Sequence, residues 1–127
     1  MSKQILPHEK VSDLLATIGN PVRVQILFAI GTGEACVCHL ESLLELRQAY
    51  ISQQLMLLRK KKIIKSRRDG KYIYYRLVNP DVLDVLRAAG EIVGVSKDSF
   101  SIQDHSNCEC PKCSSTLIQL EELPEKP

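Results

Sequence analysis

The chain has 127 residues, 44% of them hydrophobic, and a formal net charge of +2. That length suits one domain with a modest core and an appendage, because single domains commonly run to ~100–200 residues, and a second full domain has no room. No apolar run approaches the ~18 residues of a membrane span, and MSKQILPHEK at 1–10 lacks the apolar stretch of a secretory signal, so the expectation is a soluble, cytoplasmic protein with no membrane partner.

Val11, Leu14, Leu15 and Ile18 recur at i, i+3, i+4 and i+7, predicting a first helix that ends at Gly19-Asn20. Pro21 then opens a second helix with Val22, Ile26, Leu27 and Ile30 inward, which Gly31-Thr32-Gly33 breaks. A short third helix carries Leu40, Leu43 and Leu44. In the fourth, Ile51, Leu55 and Leu58 form the buried stripe, while Ala49, Ser52, Gln53, Met56 and Lys60 project to the other side.

Asp69-Gly70 between two alternating runs predicts a two-residue type I′ hairpin. The register expected from it pairs Arg68 with Lys71, Ser66 with Ile73 and Ile64 with Tyr75, leaving Lys65, Arg67, Tyr72, Tyr74 and Arg76 on the other face. A last helix over 81–93 is apolar on more than one stripe (Val82, Leu83, Val85, Leu86, Ile92, Val93), so it needs a partner beyond its own core. After Gly94 periodicity stops. The expected division is a folded domain at 1–94 and a flexible Cys-rich tail at 95–127.

Charge is distributed unevenly. Residues 47–76 hold ten Lys/Arg against one acid, Asp69, a local +9, so the remainder carries −7. This is the footprint of a nucleic-acid surface, although a merely solvated basic face has the same composition. Two short helices followed by a basic hairpin make a mainly α winged helix-turn-helix, whose second helix enters the major groove of double-stranded DNA. Gln48, Ser52, Gln53 and Gln54 are the candidates for phosphates and base edges, Gln being suited to adenine; Arg59, Lys60, Arg67, Arg68 and Lys71 are candidates for phosphates. The plainer alternative for Gln53 and Gln54 is solvated helix surface.

GNPVRVQIL at 19–27, ACVCHL at 35–40, ISQQLMLLRKKKII at 51–64 and SRRDGKYIYYRL at 66–77 resemble the ArsR/SmtB metalloregulators, in order across roughly residues 10–93. The resemblance implies a homodimer joined through its first and last helices, which binds operator DNA when metal-free and releases it on metal binding. It also implies that Cys36 and Cys38, the Cys-Val-Cys pair, bind thiophilic ions. A zinc site of Asp, His and Glu on the last helix, found in other members, is not expected here, because residues 81–94 contain no His.

Five cysteines without an export signal point to metal ligation or reactive thiols, since the cytosol keeps thiols reduced and an odd number cannot fully pair. Cys38 is the expected N-cap of the third helix, where backbone N–H groups stabilise a thiolate, and Glu41 is expected to fold back as its capping-box partner. Two sulfurs do not complete a site for arsenite, which takes three, nor for cadmium or zinc, which favour four ligands. The others are sought in H-x2-C-x-C-P-x-C, that is His105, Cys108, Cys110 and Cys113, with His39 a further candidate beside the alternative of a solvent-facing imidazole. The 13 residues between Gly94 and Cys108 span up to ~40 Å, enough to reach Cys36 and Cys38 of either subunit. A self-contained tail zinc site and an inert tail are the alternatives.

The function expected is therefore a repressor released by a thiophilic ion, arsenite, cadmium, lead or zinc, with a thiol redox or persulfide sensor as the alternative. A metal-independent architectural DNA binder leaves Cys-Val-Cys unexplained. No organic cofactor and no enzymatic activity are expected, there being no P-loop, nucleophile-elbow or H-E-x-x-H motif.

Overall fold

The computed structural model describes residues 6–100. The elements are α1 (Pro7–Ile18), α2 (Pro21–Ile30), β1 (Ala35–Cys36), α3 (Val37–Leu44), α4 (Gln48–Lys60), β2 (Ile64–Asp69), β3 (Tyr72–Leu77), α5 (Asp81–Ile92) and a 3-10 turn at Lys97–Phe100. The expected five helices and hairpin are present, together with a short strand, β1, that makes the sheet three-stranded in the order β1-β3-β2. Among the described residues no single helix is long and apolar enough to cross a membrane.

Asn20 explains the sharp break after α1, where α1 and α2 meet at 87°. Its Oδ1 accepts from the N–H groups of Val22 and Arg23 at 3.0 and 3.2 Å, satisfying two otherwise open donors at the start of α2, and Pro21 lacks the third. Helix α4 ends in a Schellman motif. Ile63 N–H donates to Leu58 O and Lys62 N–H to Arg59 O, with Lys62 at φ 62, an uncommon conformation for a non-glycine residue.

The core lies where α2, α3, α4, α5 and the base of the hairpin meet, with Ile26, Leu27, Leu40, Ile51, Leu55, Leu58, Ile64 and Leu83 almost wholly buried. The stripe read for α4 is the one buried. The stripe of α1 is buried only in part: Ile18 enters the core and half-buried Leu14 packs against it, while Val11 and Leu15 remain 56% and 48% exposed. At the other end of the chain Ile92 and Val93 are 85% and 73% exposed. Leu14 of α1 and Val82 and Val85 of α5 also line one groove of about 270 Å³.

The hairpin register differs from expectation. Asp69 pairs with Tyr72, Arg68 with Ile73, Arg67 with Tyr74 and Ser66 with Tyr75, so Gly70-Lys71 is the turn. Type I′ needs positive φ at both turn positions, and here Gly70 (φ 63) has it while Lys71 does not, the pattern of type II′ with glycine first. The glycine thus takes the one strained position and Asp69 stays in the strand. Because the pairing moves by two residues, every side chain keeps the face assigned to it.

The chain after Gly94 does not leave the domain at once. Phe100 stacks on Phe28 of α2 with ring centroids 4.4 Å apart, and it fits because Gly90 is bare: a Cβ there would lie 3.0 Å from the ring. Phe100→Ala should lower stability by about 1–2 kcal/mol, from the loss of stacking and burial, measured by thermal or urea unfolding. An unchanged midpoint would show that the turn is not held by this ring.

Candidate nucleic-acid interface and thiol pair

Helix α3, the three residues Glu45–Arg47 and α4 form the helix-turn-helix. Glu45 makes the corner by taking a left-handed conformation, φ 55 and ψ 39, and closing its N–H on Glu41 O at 2.9 Å. On α4, Gln48, Gln53, Arg59 and Lys60 are exposed, Ser52 is half-buried and Met56 is 71% exposed. Gln54 is also half-buried, and its Oε1 accepts from Arg23 Nη1 of α2 at 3.0 Å. Basic side chains at Arg59 and Lys60 end this helix, where they complement the dipole.

In the wing, Arg67, Arg68 and Lys71 are exposed, but Arg67 is not a loose cation. Its Nε and Nη2 reach the two oxygens of Glu34 at 2.7 and 2.8 Å, a bidentate pair, and its guanidinium lies 4.7 Å from the Tyr74 ring centroid. The Glu34 hydrogen bond, helped by the charges of Glu34 and Asp69, pushes the Arg67 pKa up from its ordinary value. Lys71 lies over Tyr72, 5.5 Å from its centroid.

The Cys36–Cys38 pair sits where wing and helix-turn-helix join. Cys36 is buried in β1, directly opposite Tyr74 of β3, and Tyr74 is itself 2% exposed. The aromatic face of the wing is therefore partly covered at its base. Cys36, not Cys38, is the N-cap of α3: its Sγ accepts from His39 N–H at 3.4 Å. The helix begins two residues earlier than the expectation for Cys38 because β1 carries extended backbone only as far as Cys36. Glu41 is correspondingly too far along the helix to close a capping box, and its backbone carbonyl serves the Glu45 N–H instead.

Cys38, in the first turn of α3, is half-buried, and its Sγ lies 3.0 Å from that of Cys36. The two sulfurs read from the sequence thus converge on one point. His39 follows in the same turn, half-buried. Cys36 is a free thiol and Cys38 is disulfide-bonded; once that bond is reduced, two soft sulfur donors side by side suit a thiophilic ion. Among the described residues, no group of three or more His, Cys, Asp or Glu side chains is placed to hold a metal, so two sulfurs are what this part of the chain supplies. His105, Cys108, Cys110 and Cys113 lie outside the described residues. Glu34, Tyr74 and Arg23 were not singled out from the sequence, where nothing marks a lone acid, wing tyrosine or helix-N-terminal arginine as a partner of distant residues.

A family profile described as "Bacterial regulatory protein, arsR family" matches residues 20–66, from the Asn20 cap to the first wing strand. The chain is 26% identical over 83 residues to the transcriptional repressor SmtB homolog of Synechocystis, covering 65% of this chain and 63% of that protein. A 50-residue stretch is 50% identical to the arsenic resistance transcriptional regulator ArsR1 of Pseudomonas putida, covering 39% of this chain and 38% of that one. The crystal structure of NolR from Sinorhizobium fredii superposes with a TM-score of 0.62 at 30% identity, over 75% of this chain and all of that one. Helix-turn-helix, basic wing and these likenesses agree: the chain belongs to the ArsR/SmtB family of winged-helix, DNA-binding transcriptional regulators.

Proposed function

We propose that the protein is a cytoplasmic, homodimeric repressor that binds operator DNA without metal and lets go when Cys36 and Cys38 capture a thiophilic ion such as arsenite, cadmium, lead or zinc. The observation that carries this reading is the 3.0 Å approach of the two sulfurs at the entry to α3, the helix that leads into α4. Cys108, Cys110 and Cys113, with His39 and His105 as further candidates, supply the donors the pair lacks. The bound ion supplies a soft Lewis acid that fixes both sulfurs.

The chain's own residues transmit the effect. Cys36 is at once the cap of α3 and the strand partner of Tyr74, so a shift of its sulfur strains both the start of the helix-turn-helix and the base of the wing. The exposed apolar residues of α1 and α5 and the groove they share support dimerisation through those helices.

The test is binding of reduced protein to a duplex selected from a random pool, titrated with each ion and, separately, with peroxide. Loss of binding accompanied by sulfur-to-metal charge-transfer absorbance supports the ion reading. Release by peroxide alone supports the redox alternative, which the helix-capped position of Cys36 favours.

For the interface itself, Lys60→Ala should weaken selected and random DNA alike and flatten the salt dependence, the slope of log affinity against log salt falling by about 0.9 for each phosphate no longer neutralised. Gln53→Ala should instead lower discrimination, by about 1–3 kcal/mol at one base pair. Equal loss on both DNAs by the Gln53 change would place that residue off the base edges. Arg67 is a poorer probe than Lys60, because neutralising it also removes the partner of Glu34.

A further inference from the structure

Arg23, in the first turn of α2, reaches two other helices. Its Nε donates to Thr17 O at 2.6 Å, a carbonyl left open in the last turn of α1, and its Nη1 donates to Gln54 Oε1 on α4 at 3.0 Å. A guanidinium has donors only, so the Gln54 amide is fixed with its oxygen toward Arg23 and its NH₂ at the opposite end. Arg23 itself is held in place, since its own N–H is capped by Asn20 at 3.2 Å.

Reading adenine takes an acceptor and a donor from the same amide. Gln54 turns its carbonyl oxygen to Arg23, so its remaining lone pair also lies on the arginine side and its two N–H donors are what it presents elsewhere, whereas its exposed neighbour Gln53 can present both kinds of group. Gln54 also lies half-buried on the flank of α4 toward α2, where a recognition helix meets the sugar-phosphate strand rather than base edges. A phosphate oxygen, which only accepts, matches what Gln54 has left.

We propose that Arg23 is a positioning residue that makes Gln54 a donor-only contact, directed at a phosphate oxygen of the bound duplex. This rests on α4 being the recognition helix. By tying the same guanidinium to α1, the arrangement also sets that contact relative to the helix that precedes the helix-turn-helix.

The test measures the affinity of Arg23→Met, Arg23→Lys, Gln54→Met and the Arg23→Met/Gln54→Met double variant for selected and random duplexes, with thermal unfolding run on each. Both Met singles should bind both DNAs about tenfold more weakly. The double variant should be no weaker than Arg23→Met, because the arginine acts through Gln54. Arg23→Lys, which keeps the charge but has no fork to hold two acceptors, should fall between wild type and Arg23→Met. If Arg23→Met does not fold, Arg23→Lys takes its place in the cycle. Undiminished binding by the arginine variants, losses that multiply in the double variant, or a Gln54→Met loss confined to the selected duplex would each overturn the proposal. Failure of the wild type to bind any duplex would instead overturn the DNA-binding reading beneath it.

Discussion

Serine at position 36 or 38 is expected to give a repressor that binds its operator normally and stays bound when arsenite, cadmium or lead is added, while the parent loses affinity roughly 5–150-fold, the span of typical allosteric couplings of ~1–3 kcal/mol. Serine is the informative replacement at both sites. At position 36 its hydroxyl takes over the N-cap role that the sulfur plays toward His39 N–H, so the fold is kept and only the soft ligand is lost. At position 38 it occupies the first helical turn without that duty. Fluorescence anisotropy on the selected duplex, with and without ion, makes the measurement. Linkage adds a second arm: operator DNA should lower ion affinity by the same factor by which the ion lowers operator affinity. Release of either serine variant at the parent's ion concentration would remove that thiol from the sensing role.

Deleting residues 104–127 should leave operator affinity and dimerisation intact and abolish the response, because two sulfurs remain where three or four are needed. The cut spares Phe100, whose stack on Phe28 closes the domain. That stack also shortens the tether. Seven residues separate Phe100 from Cys108, an extended reach of about 26 Å. Phe100 borders a groove of about 350 Å³ with Leu43 and Leu44, at the far end of α3 from Cys36, and eight helical residues are about 12 Å long. The thiols of the same subunit are therefore within reach of the tail. A full response by the truncated protein, read as the ratio of operator affinities with and without cadmium, would show that the tail sulfurs are dispensable.

Periodicity and turn chemistry made much of this protein legible in its sequence. The apolar stripe of α4, the Asn20-Pro21 start of α2 and the alternation of the two wing strands follow from repeats of 3.6 and 2 residues, which local backbone geometry imposes. The side of the wing on which each residue lies was equally secure, because it depends on parity alone. Cys36 and Cys38 stood out through the resemblance to the ArsR/SmtB metalloregulators, which implies that a Cys-Val-Cys pair at this place binds thiophilic ions.

What the tertiary structure decided was pairing between distant segments. The turn moved to Gly70-Lys71 because strand pairing, not the Asp-Gly dipeptide, selects the register. Cys36 became the helix cap because Ala35–Cys36 is drawn into the sheet as a third strand beside Tyr74. Arg67 met Glu34 across 33 residues and Arg23 met Gln54 across 31. Such contacts have no period and no local signature. Hydrogen bonds and ion pairs between remote residues exist only after the core has fixed the helices and strands that carry them, so chain order records the partners without recording the pairing.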